Sequence, residues 1–329
     1  YNELLSSNTS TGNALRNKHN LKENIRESNH FYNIGPVTQN NLNNVKTSIP
    51  KHVLTVLTGV AGSGKSTLVK AGFENNDHTI FIDQKAVQGS NRSNLLTYLG
   101  VFDSVRSFFS KETGLNKAMF SYNSKGACPN CGGKGYIKTE LAFMGDFSQT
   151  CEVCHGKRYK QEVLDATIDG YSIADVLDLT VDEGIIFFDK KNDIKSKLQS
   201  VSNTGLNYMS LGQPLSTLSG GEIQRVKLAQ HLDEEIKNSI FIFDEPTTGL
   251  HESDIPILME RFDDLIDQNN TVILIEHNLS IMCEADWIID VGPGPGLDGG
   301  KVQFSGTPKN FIDSSETLTS KHLKRYINQ

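Results

Sequence analysis

Apolar residues in this chain fall in short, β-branched runs separated by polar turns, the pattern of buried strands alternating with helices. Val53-Leu54-Thr55-Val56-Leu57-Thr58 predicts a buried parallel strand, and a helix is predicted after it from Ser66 to Phe73. Thr79-Ile80-Phe81-Ile82-Asp83 predicts a second strand. Ile240 to Phe243 and Val272 to Ile275 predict two more, and Lys301 to Phe304 a last short one after a Gly/Pro turn cluster at 292–300. Residues 172–200 carry Ile173, Val176, Leu177 and Val181 at helical spacing, and Glu222 to Leu232 predicts a further helix. Alternating strands and helices imply an α/β fold with a mostly parallel sheet.

The pattern breaks at about residues 125–160, where glycines, cysteines and basic residues dominate and a packed α/β layer is not expected. The expected organisation is a polar, Asn- and Ser-rich lead-in over 1–28, a first core segment over 29–110, a cysteine-bearing insertion over 111–165, a helical segment over 166–235 and a second core segment over 236–329. With 329 residues, 37% of them hydrophobic, the chain can build a sizeable core. A net charge of −7 argues against indiscriminate nucleic-acid binding but leaves room for a local basic site. No apolar run approaches the roughly 20 residues of a membrane span, and no N-terminal stretch has the layout of a signal peptide. The first residue is Tyr1 rather than Met, so what precedes it is open. Five cysteines in a chain this long do not read as a disulfide framework, and we expect a reduced, cytoplasmic protein.

The first candidate chemistry follows the first strand. Gly59-Val60-Ala61-Gly62-Ser63-Gly64-Lys65-Ser66-Thr67 matches the G-x-x-x-x-G-K-[ST] phosphate loop. Its glycines let the backbone wrap a phosphate with N–H groups pointing inward, and the following helix presents its positive end. Lys65 is expected on the β- and γ-phosphates and the Ser66 hydroxyl on magnesium. Asp244 and Glu245 close the strand Ile240-Phe241-Ile242-Phe243, at the sheet edge where ligands bind in such folds. Asp244 is expected to hold magnesium and Glu245 to polarise the attacking water. Gln84, just past a strand, is placed to contact magnesium or that water. His277, ending Val272-Ile273-Leu274-Ile275-Glu276, is read as a γ-phosphate sensor, against the plainer reading of a structural hydrogen-bonder.

Leu218-Ser219-Gly220-Gly221-Glu222 opens a predicted helix. Two glycines there make a helix N-terminus that a phosphate can approach, and such a surface works on a phosphate it does not itself enclose. Two cassettes packed head to tail are therefore expected, with Ser219, Gly220 and Gly221 of one serving the ATP of the other.

Cys128-Pro129-Asn130-Cys131 and Cys151-Glu152-Val153-Cys154 are separated by nineteen residues, the spacing of a four-thiolate zinc site. Four thiolates complete a tetrahedron, so the expected zinc is single and structural. Disulfides are the alternative, and a reducing compartment argues against them. Lys134, Lys138, Lys157 and Arg158 lie around the pairs and make a basic patch, with Glu140, Asp146 and Glu152 against it. Such a patch suits a nucleic-acid backbone, and a solvated face is the plainer reading.

These motifs, in this order, resemble the ATP-binding cassette (ABC) ATPases. With the cysteine pairs they resemble the second nucleotide-binding half of the UvrA family, the damage-sensing ATPases of bacterial nucleotide excision repair. The resemblance runs from about residue 30 to 310 and includes Arg92-Ser93-Asn94, Phe120-Ser121-Tyr122-Asn123, Leu211-Gly212-Gln213-Pro214, Pro246-Thr247-Thr248-Gly249-Leu250-His251 and Ala285-Asp286-Trp287-Ile288-Ile289-Asp290. It implies an ABC-type core carrying an inserted zinc module and a helical signature subdomain. It also implies ATP, magnesium and zinc, hydrolysis with a second cassette, double-stranded DNA as ligand, and a UvrB-like repair protein as partner without a membrane. The alternatives are a UvrA-like paralogue of drug resistance or DNA protection and a transporter ATPase subunit. A metal-stabilised binding module with a dead ATPase is a third, opposed by intact Lys65, Asp244 and Glu245.

Overall fold

The computed structural model describes residues 2–9, 11–12, 16, 20–85, 93–141, 145–232 and 236–328, with the side chains of 2, 5, 139–141 and 145–147 left aside. Arg92 of the resemblance, and the side chains of Glu140 and Asp146, thus lie outside the described residues. The chain divides into two compact units, Tyr1–Lys85 with Ser219–Gln329, and Ala86–Leu218.

The first unit is built on a six-stranded sheet. Its strands are β3 (Leu54–Gly59), β4 (Thr79–Ile82), β9 (Ile240–Asp244), β10 (Thr271–Ile275), β11 (Trp287–Gly292) and β12 (Lys301–Gly306), in the spatial order β12-β11-β3-β10-β9-β4. Only β12 runs antiparallel, at one edge. Successive strand residues face opposite sides, so Phe241 and Phe243 enter one core while Ile240 and Ile242 enter the other. On the first face lies the helix Ile255–Asp267, whose Ile255, Leu258, Met259, Phe262, Leu265 and Ile266 recur at helical spacing and are buried. Phe262 meets Phe243 with ring centroids 4.8 Å apart. Truncating either ring to alanine is expected to cost about 3–5 kcal/mol. On the second face lie the helix Lys65–Phe73 and a hairpin of β1 (Phe31–Gln39) and β2 (Leu42–Pro50). The end of the polar lead-in is tied to this unit, with Lys22 Nζ 3.0 Å from Asp286 and Arg26 Nη1 2.6 Å from Asp263.

The second unit contains two further pairs, β5 (Tyr136–Leu141) with β6 (Gly145–Thr150), and β7 (Thr167–Ile168) with β8 (Tyr171–Ser172). The helical stretch expected over 172–200 is three helices, Ile173–Asp178, Val181–Phe187 and Asn192–Val201. Capping boxes at Ser172 with Asp175 and Thr180 with Glu183 start the first two, which is why the run is broken. Phe109, Phe120, Tyr122 and Tyr159 are almost fully buried, Phe109 packing on Phe120 and Tyr122 on Tyr159.

Candidate functional site

The phosphate loop leaves the buried strand β3 and enters the helix at Gly64, whose φ of 105° is accessible to glycine and strained for other residues. Lys65 is 6% exposed and donates from Nζ to the carbonyls of Gly59 and Val60, each at 3.0 Å. Burial lowers its pKa, while Glu245, Asp290 and Asp244 pull it back up. Ser66 Oγ lies 3.5 Å from Asp244 Oδ1, and Lys70 Nζ lies 3.9 Å from the other oxygen of that carboxylate. Two oxygens so placed, one hydroxyl and one carboxylate, are a donor set that suits a hard divalent ion such as magnesium.

Glu245 has φ of +54°, a left-handed conformation unusual for glutamate, while its N–H still donates to Ile275 O at 2.9 Å. Its carboxylate stands 3.7 Å from His277 Nε2. Burial and the Lys65 charge hold the His277 pKa below its ordinary value, against the pull of Glu245, Glu276 and Asp244. Glu276, 3% exposed, accepts from Thr247 N at 3.0 Å, His277 N at 2.8 Å and Asn278 N at 3.2 Å, and so fixes the turn that carries the histidine. Lys65, Ser66, Thr67, Gly62, Gly64, Asp244, Glu245 and His277 line one cleft of about 380 Å³.

Gln84 and the signature residues do not line that cleft. Gln84 Nε2 lies 3.5 Å from both Glu245 O and Thr248 Oγ1, and its side chain packs against the α-carbon of Gly220, where a Cβ would meet Oε1 at 2.8 Å. The signature helix spans Gly220–Leu232. Ser219 and Glu222 form a reciprocal cap: Ser219 N donates to Glu222 Oε2 at 2.7 Å and Glu222 N to Ser219 Oγ at 3.3 Å.

In the other unit the four sulfurs of Cys128, Cys131, Cys151 and Cys154 lie within 4.8 Å of one another, and all four residues are buried. Cys128 and Cys151 Sγ are 4.0 Å apart, and Cys131 and Cys154 Sγ 3.7 Å. Tetrahedral zinc with bonds of about 2.3 Å needs sulfurs about 3.8 Å apart, so these residues fit a metal and form no disulfide. Asn130 Nδ2 donates to Cys151 Sγ at 3.2 Å and Gly135 N to Cys131 Sγ at 3.2 Å, the amide contacts that steady thiolates. The Asn130 bond pulls the Cys151 pKa down, and burial pushes that of Cys154 up. Cys283 is buried in the core of the first unit. Lys134 and Lys138 are exposed. Lys157 Nζ pairs with Asp175 at 2.7 Å, and the Arg158 guanidinium lies 5.2 Å over the Tyr122 ring.

A family model described as "ABC transporter" matches residues 42–248, more than half of the chain. The chain belongs to the ABC family. Within it, the UvrABC system protein A of Aquifex aeolicus (strain VF5) is 42% identical over 93% of this chain and 36% of its own length. That of Bacillus subtilis (strain 168) is 43% identical over 90% of this chain and 34% of its own length. The crystal structure of UvrA2 from Deinococcus radiodurans superposes with a TM-score of 0.90 at 38% identity, over 99% of this chain and 43% of that one. This cassette thus spans about a third of the length of the curated relatives. Among the described residues no helix is long and apolar enough to cross a membrane.

The structure adds two residues to the cassette's cleft that the motifs do not name, and a third that acts on it from outside. Asn40 and Asn41, at the turn between β1 and β2, line it directly. Asp290, on β11 beside Thr58, is 3% exposed and acts electrostatically on Lys65. Burial raises its pKa. The sequence reading did not single out Asn40 or Asn41, and Asp290 entered only through the resemblance.

Proposed function

We propose that this chain binds and hydrolyses ATP as one cassette of a two-cassette assembly, in a UvrA-like protein of DNA repair. The observation that carries the reading is the convergence of Lys65, Ser66, Asp244, Glu245 and His277 on one cleft. Lys65 binds the β- and γ-phosphates, and the amides of Gly59 to Thr67 cradle them. Ser66 and Asp244 hold magnesium, which when bound neutralises phosphate charge. Glu245 orients the attacking water, His277 meets the γ-phosphate, and Gln84 links the end of β9 to the signature helix. Ser219, Gly220 and Gly221 serve the nucleotide of the partner cassette. Their position outside this cleft supports that division of labour.

Cys128, Cys131, Cys151 and Cys154 hold one structural zinc. Double-stranded DNA is the ligand of the assembly, approached by Lys134, Lys138, Lys157 and Arg158, and a UvrB-like repair protein is a partner. The 42–43% identity to UvrABC system protein A supports repair over transport.

The test is nucleotide binding and turnover by the purified protein with its second cassette present. Glu245→Gln keeps shape and removes charge, so ATP binding persists while turnover falls by about 10²-fold or more. Lys65→Ala removes a charge-assisted contact and weakens binding roughly tenfold to a hundredfold. Wild-type turnover by Glu245→Gln would overturn the assignment.

A further inference from the structure

The phosphate loop of this cassette is held from outside by a feature that no phosphate-loop motif contains. Asn41 Nδ2 donates to Gly62 O at 3.3 Å and to Gly296 O at 3.0 Å, so one side chain joins the loop to the Gly/Pro turn at 292–300. That turn then donates into the loop twice, from Gly296 N to Gly62 O at 3.1 Å and from Gly300 N to Ser63 O at 2.9 Å. Two consecutive loop carbonyls are therefore tied to the turn.

A trans peptide points its C=O and its N–H in opposite directions. Binding the Ser63 carbonyl to Gly300 accordingly turns the N–H of Gly64 away from that turn, and Gly64 lines the cleft. The packing leaves no room for drift. A Cβ on Gly300, whose φ is +74°, would fall 2.1 Å from Asn41 O. A Cβ on Gly299 would meet Ser63 Cα at 3.0 Å and Asn41 Nδ2 at 3.1 Å. On the cleft side, Asn41 Oδ1 packs so close to Gly64 that a Cβ there would lie 2.8 Å from it. Asn40 Nδ2 also donates to Thr67 Oγ1 at 3.2 Å, so the hairpin turn grips both ends of the glycine segment.

We infer that Asn41 is a positioning residue for the nucleotide phosphates, acting through Gly62 and the turn at Gly296–Gly300 to preset the loop amides before ligand arrives. This rests on the reading that the cleft takes a nucleotide. Without the clamp the loop must order its amides at the expense of binding, so affinity falls while the carboxylate that orients water is untouched.

The experiment measures binding of a fluorescent ADP and a fluorescent ATP analogue, with magnesium, to wild type and to Asn41→Ala. Alongside go the thermal midpoint of each free protein and amide exchange over residues 59–66. The expected result is about 3- to 10-fold weaker binding of both nucleotides, as for loss of the two modest hydrogen bonds from Asn41 Nδ2, with faster exchange in the loop and an unchanged thermal midpoint. Asn41→Ser, whose side chain is too short to reach both Gly62 O and Gly296 O, should reproduce the affinity loss and serves if Asn41→Ala fails to fold. Wild-type affinity and exchange in these variants would overturn the clamp, as would an affinity loss matched by a lowered midpoint. Failure of the wild type to bind either nucleotide would instead overturn the reading of the cleft.

Discussion

His277 Nε2 stands 3.7 Å from Glu245 Oε1 on the wall of the cleft that also holds Lys65. The two groups differ in what surrounds them. Burial and the nearby ammonium of Lys65 depress the imidazole's pKa from its ordinary 6.5, although three carboxylates oppose this. A neutral imidazole can donate or accept, which suits a group meeting a γ-phosphate beside a carboxylate.

The pH dependence follows from that direction. A depressed folded pKa means the folded state binds fewer protons than the unfolded chain. The histidine's contribution is fully present above 6.5 and is lost as pH falls through the lower folded value. The histidine's share of the free chain's thermal stability should therefore be flat from neutral to mildly alkaline pH and decline only below 6.5. His277→Ala should remove that acid limb. A decline beginning above pH 6.5 and abolished by His277→Ala would mean that the carboxylates win and the imidazole is charged.

The four-cysteine cluster predicts tightly held metal. Protein purified without chelator should contain about one zinc per chain, as expected when four thiolates close the coordination shell. Cys131→Ser should lose the metal and destabilise Ala86–Leu218, because the four buried cysteines form a cluster of that unit which a metal would hold together. Cys283→Ser should leave the zinc content unchanged, since that thiol lies in the other unit. Zinc content measured by atomic emission decides the matter, and a metal-free wild type would sink it.

The start of the signature helix is tight enough to predict a steric outcome. A Cβ on Gly221 would fall 2.3 Å from Thr248 O, a backbone atom that cannot swing aside. Gly221→Ala should lower the thermal midpoint as well as turnover. Ser219→Ala removes the cap that Glu222 completes and should cost about 1 kcal/mol of stability. Thermal unfolding of both variants is the check, and a Gly221→Ala protein as stable as wild type would contradict the packing.

The parts of the site that the sequence revealed are local in the chain. The phosphate loop is visible because its geometry is a property of consecutive residues, and Asp244 with Glu245 because an apolar strand announces where its end must fall. The hairpin of β1 and β2 was not visible. Its buried residues other than Pro50 are Ile34, Val37, Leu42, Val45 and Ile49, spaced along each strand by three or four rather than two. Register shifts at Ile34/Val37 and Val37/Gln39 turn the strand's faces, so the alternation that marks a strand is erased. The role of Asn41 was therefore out of reach, and that of Asp290 was too: each acts on the loop only after a distant strand has docked. The fold class, by contrast, followed from β3, β9 and β10, whose apolar runs match their burial on both faces.

The basic residues near the cysteines give the last prediction, and the structure sorts them. Lys157 is paired with Asp175, and Arg158 lies over Tyr122, so both have structural partners. Lys134 and Lys138 are exposed, in the segment between the two cysteine pairs. Phosphate contacts position a protein without reading bases, so DNA binding through this patch should be indifferent to sequence. Each phosphate neutralised releases counterions, and affinity should fall steeply with salt. Replacing Lys134 and Lys138 by glutamine should reduce the slope of log affinity against log salt by roughly one to two. Replacing Lys157 or Arg158 should lower stability as well, because each loses a partner within its own unit. The measurement is a salt titration of duplex binding by the protein with its second cassette, with nucleotide binding at Lys65 as the control. An unchanged slope in the Lys134 and Lys138 variant, with nucleotide binding intact, would mean that these two lysines form only a solvated face.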